Sequence, residues 1–139
     1  MDEDFERISR EIDQQIRQAN EHAERMRVWA DDVDRISGEG TALRGAVKVS
    51  VNNSGVLTGL TLTDAALDAG ARGLATAILD AIGAAKQVVA DQMGRSAADQ
   101  FGRDGEITQL MVADMNKRLG VTPDFDAPPA AGRPGGVIG

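Results

Sequence analysis

Cysteine and tyrosine are absent from this 139-residue chain, and its aromatic side chains amount to one Trp and three Phe. Without cysteine there are no disulfides and no thiolate metal ligands, which fits a reducing compartment. With so few rings, burial has to come from Ala, Val, Ile, Leu and Met carried on long elements, and a monomer built this way is thinly packed. A nucleophile constellation is missing as well: there is one histidine, and no serine sits in a G-x-S-x-G setting. Gly38-Glu39-Gly40 is a G-x-G that lacks the third glycine and the preceding strand of a dinucleotide site. These absences point to a binding or architectural protein rather than an enzyme, with no metal and no cofactor. The N-terminal Met1-Asp2-Glu3-Asp4 is acidic where a signal peptide is basic, and no stretch approaches membrane-spanning length. A soluble cytoplasmic protein without a membrane partner is therefore expected.

Positive charge is also scarce. The formal net charge is -7, and residues 1–36 alone hold 11 acids against 6 arginines. Phosphate binding depends on counterion release by clustered cations, so duplex DNA as a partner requires a local basic face that the totals do not supply. Twelve of the cations are Arg and three are Lys, which with the abundant Ala and Gly suggests a high-GC bacterial genome.

What is present is organised around Gly45–Thr63. Val47, Val49 and Val51 alternate with Lys48, Ser50 and Asn52, placing three β-branched side chains on one face of a strand. Asn53-Ser54-Gly55 breaks the run with residues that tolerate positive φ, and Val56, Leu60 and Leu62 resume the alternation, which predicts a β-hairpin. Ile36–Thr41 supplies a third, glycine-weakened strand at the edge.

Before this hairpin, residues from Asp4 to Val33 read as one amphipathic helix. Phe5, Ile12, Ala19, Met26 and Val33 recur every seven residues, and Ile8, Gln15, His22, Trp29 and Ile36 follow three places after each. At 1.5 Å per residue the helix is about 45 Å long, too long to bury against a three-stranded sheet alone, so it must project or pair. His22 and Gln15 read as a register-setting polar pair in the stripe. Five acid-to-base pairs at i, i+4 (Glu3 with Arg7, Glu6 with Arg10, Asp13 with Arg17, Glu21 with Arg25, Asp31 with Arg35) predict a solvated, self-paired helix whose arginines are largely neutralised.

After the hairpin, Thr63 and Asp64 are N-cap residues, Gly70 and Gly73 loosen the next stretch, and a second long helix follows from Ala71. Its stripe Leu74, Ile78, Ile82, Ala85, Val89 and Met93 is expected to lie across the sheet, with a weak point at Gly94-Arg95-Ser96. Gly102–Gly105 is a break, and a shorter helix runs from Glu106 to Leu119, capped by Asp104 and stopped by Gly120. From Val121 onward the chain holds all four prolines and four of the sixteen glycines, a composition expected to remain an unpacked tail.

The order long helix, glycine-rich strand, V-K-V-x-V-N hairpin, T-L-T-D, long helix resembles the YbaB/EbfC family of bacterial nucleoid-associated proteins over roughly Asp4 to Phe101. The resemblance implies an α+β fold of αβββα order (residues 1–101), here followed by an accessory helix (102–120) and a disordered Pro/Gly tail (121–139). It implies a homodimer, with Val47, Val49, Val51, Leu60 and Leu62 as interface candidates on the joined sheets. It also implies duplex DNA as partner and a nucleoid location. The cations least neutralised by neighbours, Arg44, Lys48 and Lys86, followed by Arg10 and Arg17, are the candidates for DNA contact. A second reading is a cytoplasmic adaptor like the YbaB-like proteins among type VII secretion genes of actinobacteria, in which the same scaffold binds another protein and no DNA.

Overall fold

Two glycines at alternate positions of the first strand decide how the layers of this fold meet. In the computed structural model, which describes residues 2–127, the order is α1 (Asp2–Asp34), β1 (Ser37–Ala42), β2 (Val47–Asn52), β3 (Leu57–Leu62), α2 (Asp64–Leu67), α3 (Gly70–Phe101) and α4 (Glu106–Leu119). The strands form one antiparallel sheet in the order β1-β2-β3. This is the expected αβββα arrangement with an added helix. Gly38 and Gly40 are buried against α3, where a Cβ on the first would overlap the carbonyl of Ala85 and on the second that of Ala81. Strand and helix backbones therefore approach more closely than any larger pair of residues permits.

That close approach selects small residues on the helix too. Ala81, Ala85 and Val89 are fully buried and Ala77 nearly so, while Leu74, Ile78 and Ile82 pack at the margins. Of the expected stripe, Ala85, Val89 and Met93 are buried as their spacing predicts, whereas Leu74, Ile78 and Ile82 flank the seam instead of forming its centre. Val47, Val49 and Val51 complete the core at 0% exposure. By register Val47 is opposite Leu62, Val49 opposite Leu60 and Val51 opposite Leu57, with an irregularity at Ser50/Val51. The three leucines continue the valine face onto β3. Because α3 lies over β1 and β2, Leu57, Leu60 and Leu62 stay 44%, 46% and 38% exposed.

Both hairpin turns are built locally. In the second, the Asn52 Oδ1 accepts from the Ser54 and Val56 amides at 2.9 and 3.0 Å, and Gly55 takes φ +81°. β3 consequently starts at Leu57, with Val56 exposed. In the first turn, Leu43 and Arg44 both adopt positive φ, 52° and 58°, and the Gly45 amide donates to the Ala42 carbonyl at 3.1 Å. This is type I′ geometry, usually held by Asn-Gly.

α3 runs without a break through Gly94-Arg95-Ser96 to Phe101, so the expected weak point is absent. Length and composition make α3 apolar enough to cross a membrane, against the sequence expectation. Its alanines together with Leu74, Ile78, Leu79, Ile82, Val88 and Val89 supply that hydropathy, and in the fold its alanine line lies under the sheet. Thr63 and Gly105 hold the N-cap positions of α2 and α4 without side-chain caps. Asp104 therefore does not cap α4; instead the buried Thr108 Oγ1 donates to the Gly102 carbonyl at 2.7 Å. Gly120 ends α4 in the left-handed region, as its position predicts. α4 packs back along α3 through Met111, Met115 and Leu119.

The expectation that the chain packs nowhere from Val121 onward is corrected over 121–127, where Pro123 is buried and Phe125 half-buried against Gly94. A proline and an aromatic ring find apolar surface that composition alone does not reveal. Residues 128–139, on which the rest of that expectation falls, lie outside the described residues.

Candidate nucleic-acid interface

α1 supplies the most exposed cations. None of its residues is buried, and the side-chain contacts it makes with the rest of the fold lie from His22 onward. There Trp29 meets the Phe101 ring edge-on at 5.6 Å, His22 lies 6.4 Å from the same ring, and the Val33 carbonyl accepts from Asn53 Nδ2 at 2.8 Å. Residues 2–21, about 30 Å of helix at 1.5 Å per residue, have every side chain exposed. Phe5, Ile8, Ile12 and Ile16 form an uncovered apolar stripe there, with Phe5 at 75%. At 100° per residue Arg10 and Arg17 fall on the opposite face, two turns apart.

The ion pairs on this helix differ from those the spacing predicts. Among the described residues, none of the five expected i, i+4 pairs is formed. Arg7 pairs with Asp4 at 3.4 Å, and Arg27 with Glu24 and with Asp31, the latter at 3.1 Å. A hydrogen bond from Arg27 holds the Glu24 carboxyl below its ordinary value, and the same bond raises Arg27. Among the described residues, Arg10, Arg17, Arg25 and Arg35 form no ion pair. Exposed pairs gain so little against side-chain entropy that sequence spacing does not fix which ones form. Arg25 and Arg35 are cations the sequence reading set aside as neutralised.

The remaining candidates are dispersed. Lys48 stands on the sheet face away from α3, between Thr41 and Thr61 on the neighbouring strands. Arg44 sits at the tip of the β1–β2 turn. Lys86 is half-buried on α3 with its stem near Gly55, at the far end of the hairpin; a six-residue strand puts about 20 Å between those ends. The fold therefore does not gather Arg44, Lys48 and Lys86 into one patch, whereas Arg10 and Arg17 share one. Of the interface candidates, Val47, Val49 and Val51 lie beneath α3 with no exposed surface, and Leu60 and Leu62 are open. No group of His, Asp and Glu among the described residues has a metal-binding arrangement.

A family model, the YbaB/EbfC DNA-binding family, matches residues 9–103. Comparison with curated proteins and with solved structures gives no match.

Proposed function

The chain belongs to the YbaB/EbfC DNA-binding family, and from this we propose that it is a non-enzymatic, homodimeric, nucleoid-associated protein of the cytoplasm that binds duplex DNA weakly and largely without sequence preference. The observation that carries the reading beyond the family is the pair Arg10 and Arg17, exposed on the outer face of a projecting helix and free of ion-pair partners among the described residues. Phosphate contacts from such a face position a duplex without reading its bases. Weakness follows from the surroundings: 11 acids share residues 1–36 with 6 arginines, and net charge -7 opposes the approach of a polyanion.

Dimerisation is supported by apolar surface that one copy leaves open. Leu57, Leu60 and Leu62 on β3, the unpaired sheet edge that α3 does not cover, together with the α1 stripe, suit a second copy of the chain. The valines contribute by holding the sheet to α3, and the leucines supply the contact. Charge reversal at Arg10 and Arg17 tests the reading by fluorescence anisotropy with a labelled duplex at low salt. The R10E/R17E variant should lose at least tenfold in affinity while retaining the wild-type mass in solution. Unchanged affinity would remove α1 as the contact surface, and no binding by the wild type at low salt would leave the protein-adaptor reading in its place.

A further inference from the structure

The segment that the tail composition left unassigned is seated in a groove with the character of a peptide site. Four residues on one face of α3, at i, i+4, i+7 and i+8, line it: Gln87, Asp91, Gly94 and Arg95. Gln87 Nε2 donates to the Thr122 carbonyl at 2.8 Å, the Asp91 Oδ1 accepts the Asp124 amide at 2.7 Å, and the Arg95 guanidinium donates to the Ala127 carbonyl. Gln87 also donates to Asp91 at 2.8 Å, which holds both side chains in place. Between these backbone contacts Pro123 is buried on Gly94, so closely that a Cβ there would come within 2.7 Å of the proline ring, and Phe125 lies against the same glycine. Arg103 closes the far end, its guanidinium 4.9 Å from the Phe125 ring centre and 3.6 Å from the Asp126 carboxylate. From α4, Asn116 Nδ2 donates to Thr122 Oγ1 at 3.1 Å.

We infer that this face of α3 is a peptide-binding groove for a segment of the form proline, any residue, aromatic, acid that ends in a turn, as Asp124–Ala127 does through the Ala127 amide donating to the Asp124 carbonyl at 3.2 Å, and that residues 122–127 are its built-in ligand. The recognition divides as in other peptide sites: side chains of the groove satisfy the peptide backbone, and shaped contacts for alternate side chains give selectivity. Gly94 is the shaping residue. Alanine is the better helix former by nearly the whole propensity range, so an interior glycine needs a packing reason, and Pro123 is that reason. The tether is short, with Gly120 in the left-handed region one residue before Val121. At such a separation the local concentration of the cis segment is in the millimolar range, enough to exclude a competing peptide until the cis segment is displaced. The groove residues Gln87 to Arg103 lie within the family match, which ends at residue 103, whereas the tether and residues 122–127 lie beyond it, and the inference is independent of DNA binding.

The test uses the full chain and a labelled peptide of the sequence VTPDFDA. In the variant P123G/F125A the groove is intact and its own ligand is disabled, so this variant should bind the peptide at least tenfold more tightly than the wild type. Adding Gly94→Ala to that variant should abolish the gain, since the new methyl fills the proline seat while favouring the helix. Peptides with Pro or Phe replaced by Ala should compete at least tenfold more weakly. Circular dichroism confirms that the variants fold. A folded P123G/F125A variant that binds the peptide no better than the wild type, or binding insensitive to G94A, would overturn the inference.

Discussion

Small side chains hold the layers of this molecule together, and two of its residues test that directly. Gly40 faces the Ala81 carbonyl across the sheet-helix seam. Gly40→Ala should therefore destabilise at the upper end of the about 1–3 kcal/mol typical of overpacking, read from the urea midpoint. A loss below about 0.5 kcal/mol would mean that α3 is free to slide. Ser96 presents the opposite case, a hydroxyl buried in α3 with no hydrogen-bond partner among the described residues. Leaving such a group unpaired costs about 1–3 kcal/mol, so Ser96→Ala should raise the melting temperature. A drop in melting temperature would show that the hydroxyl has a partner.

At the scale of elements, the β1–β2 turn holds the two non-glycine residues with positive φ among those described. Leu43 and Arg44 occupy two consecutive left-handed positions, each costing roughly 1–2 kcal/mol for a residue with a Cβ. The replacement L43N/R44G supplies the pair that type I′ turns favour and should stabilise the fold by about 1 kcal/mol or more, measured by chemical denaturation. Destabilisation would mean that Leu43 packs in a way its 41% exposure does not indicate.

The elements themselves were legible in the sequence. Alternating valines gave β2, the Asn-Ser-Gly turn gave the hairpin, sevenfold periodicity gave α1, and Gly120 gave the end of α4. What was not legible depends on contacts between elements. Helical spacing nominated Leu74, Ile78 and Ile82 for the sheet face, but Gly38 and Gly40 draw the backbones together and shift that role to alanines. The same holds for the candidate site. Arg10 and Arg17 stood behind Arg44, Lys48 and Lys86 among the candidates because of expected pairs read from spacing, and exposed ion pairs form too weakly for spacing to decide. The seating of Pro123 was invisible because its partner is a glycine, which carries no hydrophobic signal of its own.

Taken as a whole, the molecule exposes two apolar strips, one along the first half of α1 and one on β3, besides the isolated Leu43, Leu67, Leu79 and Leu110. Under the proposed dimer the α1 stripe is part of the contact, so replacing Ile8, Ile12 and Ile16 with Gln should reduce the mass read by light scattering and lower the melting temperature, increasingly on dilution. An unchanged mass and a melting temperature within about 2 °C of the wild type, as for substitutions on a free surface, would remove α1 from the contact. A wild-type mass of 14.6 kDa at micromolar concentration would contradict the dimer altogether. The charge pattern then sets what a dimer can do with DNA. In the proposed reading, Arg10 and Arg17 from each copy, four arginines on the outer faces of the projecting helices, are the principal phosphate contacts. The most direct measurement is the dependence of duplex affinity on salt, taken by anisotropy on duplexes of unrelated sequence. Each phosphate contact contributes about 0.9 to the slope of log affinity against log salt, so the slope should be about 3 to 4 and the same for every sequence. A slope near 10, or one duplex bound tightly at physiological salt while others are not, would contradict weak and sequence-independent binding by the projecting helices.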